Sequence, residues 1–360
     1  MEIRINRTSA AKPMPHAGDK LGFCRQFSDH MFIVEYDDSV GWHDARITPY
    51  APFTIDPASP VLHYGQEIFE GLKAYRRDDG EIQLFRARDN ASRMNRSAAR
   101  MCIPSIDEEL QFSAMQTIVD IERDWVPSGE GESLYLRPTC IADGNTLGVH
   151  AASRYIYYII CSPSGSYYPN GLEPIRIHIE SRDVRAVKGG IGFAKTGGNY
   201  AASLRAAEAA KQNGFDQVLW LDGRENRYVE EVGAMNIMFM LGDTLVTAEL
   251  GGSILPGITR DSVLALARER GIKVEERRIA VDELVAASKR GDLLEAFGTG
   301  TAAVISPIRE MTFDGVAMKV GDGKSIGKVA REMYDTLTGI QTGKSADTHG
   351  WISVVPHLSR

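Results

Sequence analysis

A single lysine stands between two glycine-rich turns in Gly189-Gly190-Ile191-Gly192-Phe193-Ala194-Lys195-Thr196-Gly197-Gly198-Asn199-Tyr200, just ahead of an alanine-rich stretch. A rigid setting for a lysine points to covalent work, and the reaction open to a deprotonated amine is imine formation with a carbonyl. Burial favours that form, because desolvation penalises the charged one. The alternative is a surface lysine in a glycine loop. Gly197 and Gly198 let the backbone pass close to a bound ring, and the Tyr200 hydroxyl can reach a phenolic oxygen of that ring.

Two acids follow in Glu230-Glu231-Val232-Gly233, inside an apolar strand pattern where an unpaired carboxylate is costly. Alternation puts Glu231 on one face and Glu230 on the other. Glu231 facing a pyridine nitrogen would keep that nitrogen protonated; the alternative is a strand acid paired with an arginine. Gly251-Gly252-Ser253-Ile254-Leu255-Pro256-Gly257-Ile258-Thr259 runs into a helix start, where amides can meet a phosphate. Gly298-Thr299-Gly300-Thr301-Ala302 is a second loop of amides and hydroxyls, and each loop alone reads equally as a tight turn. Together these groups meet the needs of pyridoxal phosphate: an imine, partners for the ring nitrogen and phenolic oxygen, and a phosphate cup. Arg185 is a further phosphate candidate.

Other motifs fail on inspection. Gly323-Lys324-Ser325 and Gly343-Lys344-Ser345 end like P-loops, but Met318 and Thr338 stand where the first glycine is needed. Gly190-Ile191-Gly192 and Gly298-Thr299-Gly300 meet Lys195 and Ala303 at the third glycine position of a dinucleotide fingerprint. The eight histidines make no metal-ligand spacing, and no GxSxG is present. No metal is expected. A net charge of -7 argues against a general nucleic-acid or anionic-membrane surface. Cys24, Cys102, Cys140 and Cys161 form no CxxC pair, and the N-terminus lacks an apolar secretory run. A cytoplasmic location without membrane contact is expected.

These groups need a frame. The 360 residues suffice for two domains. Residues 1 to about 60 read as irregular, with short extended pieces. Glu67 to Arg76 reads as one amphipathic segment, Ile82 to Phe85 as a strand, and Asn90 to Met101 and Asp107 to Trp125 as helices. Ser133 to Pro138 and Arg154 to Cys161 read as strands. The Pro-, Gly- and Ser-rich stretch from Ser162 breaks the chain into residues 1–165, a linker 166–174 and residues 175–360. Beyond it, Ile175 to Ile179, Phe215 to Leu221, Arg227 to Glu231 and Asn236 to Leu241 read as antiparallel-looking strands. Tyr200 to Lys211, Thr259 to Glu269, Val281 to Ser288 and Ile326 to Thr336 read as helices.

The ordered strings Leu62-His63-Tyr64-Gly65-Gln66-Glu67-Ile68-Phe69-Glu70-Gly71-Leu72-Lys73-Ala74-Tyr75, Leu84-Phe85-Arg86, Ser133-Leu134-Tyr135-Leu136-Arg137-Pro138, the Lys195 string, Glu230 to Asn236, Leu255 to Arg260 and Phe297 to Ala302 span nearly the whole chain. Through them the chain resembles the branched-chain amino-acid aminotransferases of the class IV (fold type IV) pyridoxal-phosphate enzymes. The closing Asp347-Thr348-His349-Gly350-Trp351 resembles the actinobacterial form. The resemblance implies an α/β (α+β) fold with a smaller N-terminal α/β domain and a larger C-terminal pseudo-barrel domain, as a homodimer. It implies that Lys195 holds the cofactor as an aldimine and shuttles the proton. Glu231 would pair with the ring nitrogen and Tyr200 with the phenolic oxygen, while Arg86, Arg185, Ile258, Thr259 and Thr301 receive the phosphate. Tyr135, Thr301 and Ala302 would meet the substrate carboxylate and Arg137 the distal carboxylate of glutamate. Tyr64, Phe69, Tyr167 and Met235 or Ala234 would shape the apolar pocket. A redox CxxC pair found in some mammalian members is missing, with Ala303 and Ser306 at those positions.

The activity so implied is reversible, ping-pong transamination of L-leucine, L-isoleucine and L-valine with 2-oxoglutarate, giving branched-chain 2-oxo acids and L-glutamate. D-Amino-acid aminotransferase and aminodeoxychorismate lyase share the lysine and phosphate logic. A noncatalytic pyridoxal-phosphate or anion-binding protein is the rival of a different class.

Overall fold

The computed structural model describes residues 1–15, 19–165 and 172–358, so Tyr167 and most of the expected linker lie outside the described residues. The chain forms two compact units, one of Met1–Pro169 with Ala194–Gly197 and Gly339–Arg360, the other of Asn170–Phe193 with Gly198–Thr338. Two segments expected in the C-terminal domain thus group with the first unit. Hydrogen bonds explain it: the Phe69 N–H donates to the Lys195 carbonyl, and Ile352–Val354 pairs with the strand that ends at Phe85.

The first unit is built on one nine-stranded sheet. Its strands are β1 (Arg4–Ile5), β2 (His30–Asp37), β3 (Gly41–Pro49), β4 (Glu67–Phe69), β5 (Leu72–Arg76), β6 (Ile82–Phe85), β7 (Ser133–Asp143) and β8 (Arg154–Ser164), with the C-terminal strand Ile352–Val354 added to β6. Residues 1 to 60 are therefore less irregular than expected. Phe32 and Val34 on β2 and Ile47 on β3 are fully buried, and β2 pairs antiparallel with both β3 and β8. Cross-strand packing overrides the Pro-, Asp- and His-rich composition. Helices α1 (Pro60–Tyr64), α2 (Ala87–Arg100) and α3 (Glu108–Ile121) accompany the sheet. On α2, Ala87, Ala91, Met94 and Ala98 recur at helical spacing and enter the same core as Leu110, Ile118, Ile68 and Leu136. Asp107 caps α3 by accepting the Leu110 N–H at 2.7 Å.

The expected amphipathic segment Glu67 to Arg76 is two strands, broken at Glu70-Gly71. Glu70 turns inward and binds Arg93 of α2 through both oxygens, each at 2.8 Å. A Cβ on Gly71 would collide with the Tyr135 ring, so a larger residue cannot pass there.

The second unit carries β9 (Ile175–Ile179), β10 (Gln217–Leu221), β11 (Val229–Val232), β12 (Met235–Leu241), β13 (Thr244–Thr247), β14 (Lys273–Glu276), β15 (Leu293–Gly300), β16 (Val304–Phe313) and β17 (Val316–Lys319). Pairing runs β11-β10-β9-β16-β15-β12 and returns from β12 to β11, which closes a barrel-like ring. The antiparallel expectation needs correction at two seams of the ring and again outside it, where β13 pairs parallel with β14. β9 pairs parallel with both β10 and β16. Phe239 and Phe297 are fully buried on the ring, and Trp220 on β10 packs with Ala206 and Ala210 while its indole N–H donates to the Gly233 carbonyl at 3.0 Å. Helices α4 (Gly197–Ala201), α5 (Leu204–Gln212), α6 (Ile258–Glu269), α7 (Val281–Arg290) and α8 (Lys328–Gln341) complete the chain. The single helix expected from Tyr200 to Lys211 is thus two. Ser203 turns its hydroxyl back onto the Tyr200 carbonyl at 2.7 Å, competing with the helix ladder.

Candidate active site

In the first unit, the main chain on both sides of Lys195 is clamped. Its N–H donates to Ser97 Oγ of α2 at 2.9 Å, and its carbonyl accepts the Phe69 N–H of β4 at 2.9 Å. Two residues on, the Gly197 N–H donates to the Glu67 carboxylate. The Arg93–Glu70 pair lies one helical turn from Ser97 and holds α2 against the β4–β5 break. Arg93 and Asn90 hold the Glu70 carboxyl below its usual range although burial opposes them. These contacts position the half-buried lysine through backbone atoms, and they bind its segment to the first unit.

The Lys195 Nζ sits 4.8 Å from the Phe69 ring centroid, and the Arg137 guanidinium sits 4.8 Å from the same centroid. Arg137 also donates to the Tyr135 hydroxyl at 3.0 Å, and Phe23 meets the Tyr135 ring edge-on at 5.1 Å. Four of the expected residues, Lys195, Phe69, Arg137 and Tyr135, are thereby brought together. Tyr64 stands apart at 43% exposure, with its hydroxyl on the Leu147 carbonyl.

Arg86 sits immediately before α2 in the left-handed region, φ 53, a conformation that costs a non-glycine residue energy. Its N–H donates to the Trp351 carbonyl at 2.7 Å and its Nε to Asp89 at 2.8 Å, with Trp351 lying 5.3 Å below the guanidinium. The C-terminal motif therefore fixes the direction of Arg86.

In the second unit, Glu231 on β11 is 3% exposed and its carboxylate is well held. Arg185 reaches Oε2 at 2.7 Å, while the Leu255 N–H and Asn236 Nδ2 reach Oε1 at 3.1 and 3.3 Å. The same guanidinium donates to the Ser253 carbonyl at 2.7 Å. The structure thus gives Arg185 a carboxylate partner where the sequence suggested a phosphate. Glu230 points the other way, as alternation requires, and accepts the Ser253 hydroxyl.

Burial, with Glu231 adding to it, pushes the Glu230 carboxyl up to about 7 against the opposing Ser253 hydroxyl and Arg185 charge. Glu230 therefore holds its proton in the folded chain after the unfolded chain has released it near 4.5. The folded state binds more protons between these values, so this group's contribution falls as pH rises from about 4.5 to about 7. Glu230→Gln removes that dependence. Its thermal midpoint is expected to exceed that of the unsubstituted chain at pH 8 and to match it at pH 4.5. Allowing for solvent screening, the difference is about 2 kcal/mol. Melting curves across that range check it.

Helix α6 begins at Ile258, one residue earlier than expected, and Gly257 before it brings no capping side chain. Its first amides lie at the positive end of the helix dipole, with Ile258 and Thr259 both buried. A Cβ on Gly257 would strike Asn236, the residue that also holds Glu231. Thr301, Ala302 and Ala303 form the loop between β15 and β16, closed by the Gly300–Val304 pair. Val304 carries φ 61, an unusual value for a β-branched residue. Gly298 answers to packing: a Cβ there would lie 2.9 Å from Met235 Cε and 3.0 Å from Val232 Cγ1. Tyr200 is half-buried on α4.

The sequence model of the family Amino-transferase class IV matches residues 67–311. The chain belongs to the class IV aminotransferases. It is 51% identical to the branched-chain-amino-acid aminotransferase 2 of Bacillus subtilis over 99% of this chain and 98% of that one. It is 48% identical to the branched-chain-amino-acid aminotransferase of Mycobacterium tuberculosis, over 92% and 91%. Among solved structures, it resembles the Escherichia coli branched-chain amino acid aminotransferase with TM-score 0.76 and 28% identity, covering 91% of this chain and 99% of that one. The T.th. branched-chain amino acid aminotransferase, solved with pyridoxamine 5'-phosphate, matches with TM-score 0.73 and 27% identity over 90% and 98%.

Further residues hold the groups of this class IV chain in place. Ser97 is an ordinary polar residue whose role appears only once the chain is folded, whereas Asn236 and Ser253 lie inside the Glu230 to Asn236 and Gly251 to Thr259 strings without a role assigned to them there. Glu67 had a signal, because it sits inside the Tyr64 to Tyr75 string beside Phe69. Among the described residues, no group of three or more His, Cys, Asp or Glu could hold a metal ion, and no helix is long and apolar enough to cross a membrane.

Proposed function

We propose that this class IV aminotransferase uses pyridoxal 5'-phosphate to transfer the amino group of L-leucine, L-isoleucine and L-valine reversibly to 2-oxoglutarate. The observation that carries the reading is the clamped backbone of Lys195, which presents an amine on the face of Phe69 beside Arg137. The donor set suits the cofactor: an amine, a buried carboxylate paired with Arg185 and a helix N-terminus whose lead glycine brings no side chain. When bound, pyridoxal phosphate supplies an aldehyde for amine exchange and a ring that takes up electrons.

Lys195 Nζ would hold the cofactor covalently and would move the proton to and from the substrate Cα. Glu231 would hold a proton at the ring nitrogen, and its partners Arg185, Leu255 N–H and Asn236 keep it aimed. We assign Arg185 to that task rather than to the phosphate. Tyr200 serves the phenolic oxygen, while Arg86, the α6 amides at Ile258 and Thr259, and Thr301 receive the phosphate. Tyr135, Thr301 and Ala302 meet the substrate carboxylate. Arg137 accepts the distal carboxylate of glutamate through its planar donors, and Phe69 contributes apolar surface, while the pocket role expected of Tyr64 has no support from its place apart from this cluster.

We assign the chain to the cytoplasm, paired with a second copy of itself. Exposed Leu62, Tyr64, Leu147 and Val149 support that pairing, since the Tyr64–Leu147 hydrogen bond joins the two segments that display them. The test of function is steady-state turnover by purified holoenzyme. L-Leucine with 2-oxoglutarate is expected to give parallel double-reciprocal lines, with D-alanine turned over at least about 100-fold more slowly. Equal rates with D-alanine would sink the assignment.

A further inference from the structure

The carboxylate read as the ring-nitrogen partner and the amides read as phosphate receptors stand on different elements, β11 and α6. One cofactor has to meet both. A molecule with two binding ends gains most when its two receptors are held at the matching separation. Asn236 is placed to hold them so. It lies on β12, where the ladder fixes its backbone on both sides, opposite Glu231 of β11 and Thr299 of β15. Its side chain is 5% exposed.

An amide nitrogen carries two hydrogens, and here both are used. Asn236 Nδ2 donates to Glu231 Oε1 at 3.3 Å and to the Leu255 carbonyl at 2.9 Å. The Leu255 N–H returns to the same Glu231 oxygen at 3.1 Å. Leu255 is thus held at both its N–H and its carbonyl, just ahead of Ile258, where α6 begins. The other end of the Asn236 amide, Oδ1, lies against Gly257. Gly257 has φ -70 and ψ 133, a conformation open to any residue, so its backbone does not call for glycine. The constraint is steric: a Cβ there would overlap Asn236 Oδ1. Serine, threonine, aspartate or asparagine would ordinarily cap a helix from this position. A bare position instead leaves room for the Asn236 amide.

We propose that Asn236 is the positioning residue that fixes the span between the Glu231 carboxylate and the first amides of α6, with Gly257 bare to admit it. The inference rests on the reading of those two groups as receptors for the ring nitrogen and the phosphate of pyridoxal 5'-phosphate. Arg185 serves Glu231 by charge, whereas Asn236 ties that carboxylate to the helix start. Aspartate could not replace it, since it has no hydrogen to give and would set a like charge beside Glu231.

Titration of apoenzyme with pyridoxal 5'-phosphate, with pyridoxal and with inorganic phosphate tests this. Asn236→Ala is expected to weaken pyridoxal 5'-phosphate about tenfold or more. Pyridoxal and phosphate each need only one receptor, so their dissociation constants should change less than about threefold. Gly257→Ala, the milder change, keeps every hydrogen-bonding group and should act in the same direction, because the added methyl turns the Asn236 amide away. The double variant has no amide left to displace. Its loss should therefore match that of Asn236→Ala alone rather than the product of the two. A merely structural role would weaken all three ligands by one factor, and that result would overturn the proposal. Multiplicative losses in the double variant would overturn it too, as would pyridoxal weakened as much as its phosphate, which would confine Asn236 to Glu231. Unsubstituted protein that held pyridoxal 5'-phosphate no more tightly than pyridoxal would instead overturn the reading of the α6 start on which the proposal rests.

Discussion

Lys195→Ala is expected to abolish transamination while leaving the fold intact. The contacts that shape its loop use the Lys195 N–H and carbonyl and the Gly197 N–H, all of which alanine at 195 retains. What is lost is the contact of Nζ with the Phe69 ring, worth at most roughly 1 kcal/mol. The same amine is the covalent anchor and the proton carrier of the proposed reaction, so kcat should fall by about 10⁴-fold or more, equivalent to roughly 5 kcal/mol of barrier. The thermal midpoint therefore stays nearly constant while turnover collapses. Reconstituted protein should lose the long-wavelength absorbance of lysine-bound cofactor, and added methylamine should restore part of the rate. A variant that kept both the band and the activity would show that another amine does the work.

The lysine and its partners were legible because each covalent or charged task demands a particular residue type in a special backbone setting. Lys195 between glycines and Glu231 in an apolar strand are local anomalies, and local anomalies survive in sequence. The frame was less legible where tertiary contacts decide. β2 and β3 look irregular by composition, yet Phe32 and Val34 are fully buried between β3 and β8. Closure of the second unit depends on Glu231 facing Asn236 across β11 and β12 while β9 joins β10 and β16 in parallel. No local propensity encodes such a ring. The break at Glu70-Gly71 likewise comes from outside the segment, from Arg93 and the Tyr135 ring. The pairing of Arg185 with Glu231 is a mixed case: an arginine partner is one of two readings open to Glu231 from sequence, but only folding shows which arginine it is.

That pairing makes Arg185 the second sensitive point. Arg185→Gln leaves Glu231 buried with its Oε2 partner gone, a change that typically costs roughly 3–5 kcal/mol. The protein can soften the loss only by protonating Glu231, since desolvation then favours the neutral acid. A protonated Glu231 no longer holds a proton at the ring nitrogen, so turnover should fall about 100-fold or more along with stability. Arg185→Lys, which retains a point charge but not the fork shared between Glu231 and the Ser253 carbonyl, should fall between the two. The double variant Arg185→Gln with Glu231→Gln replaces an ion pair by neutral groups and is expected to recover most of the stability and none of the activity. Cofactor titration of apoenzyme then separates the two tasks open to Arg185. An arginine acting through Glu231 weakens pyridoxal and pyridoxal 5'-phosphate by the same factor when it is replaced. An arginine on the phosphate weakens only the phosphorylated form, and that result would return Arg185 to the cup formed by Arg86, Ile258, Thr259 and Thr301.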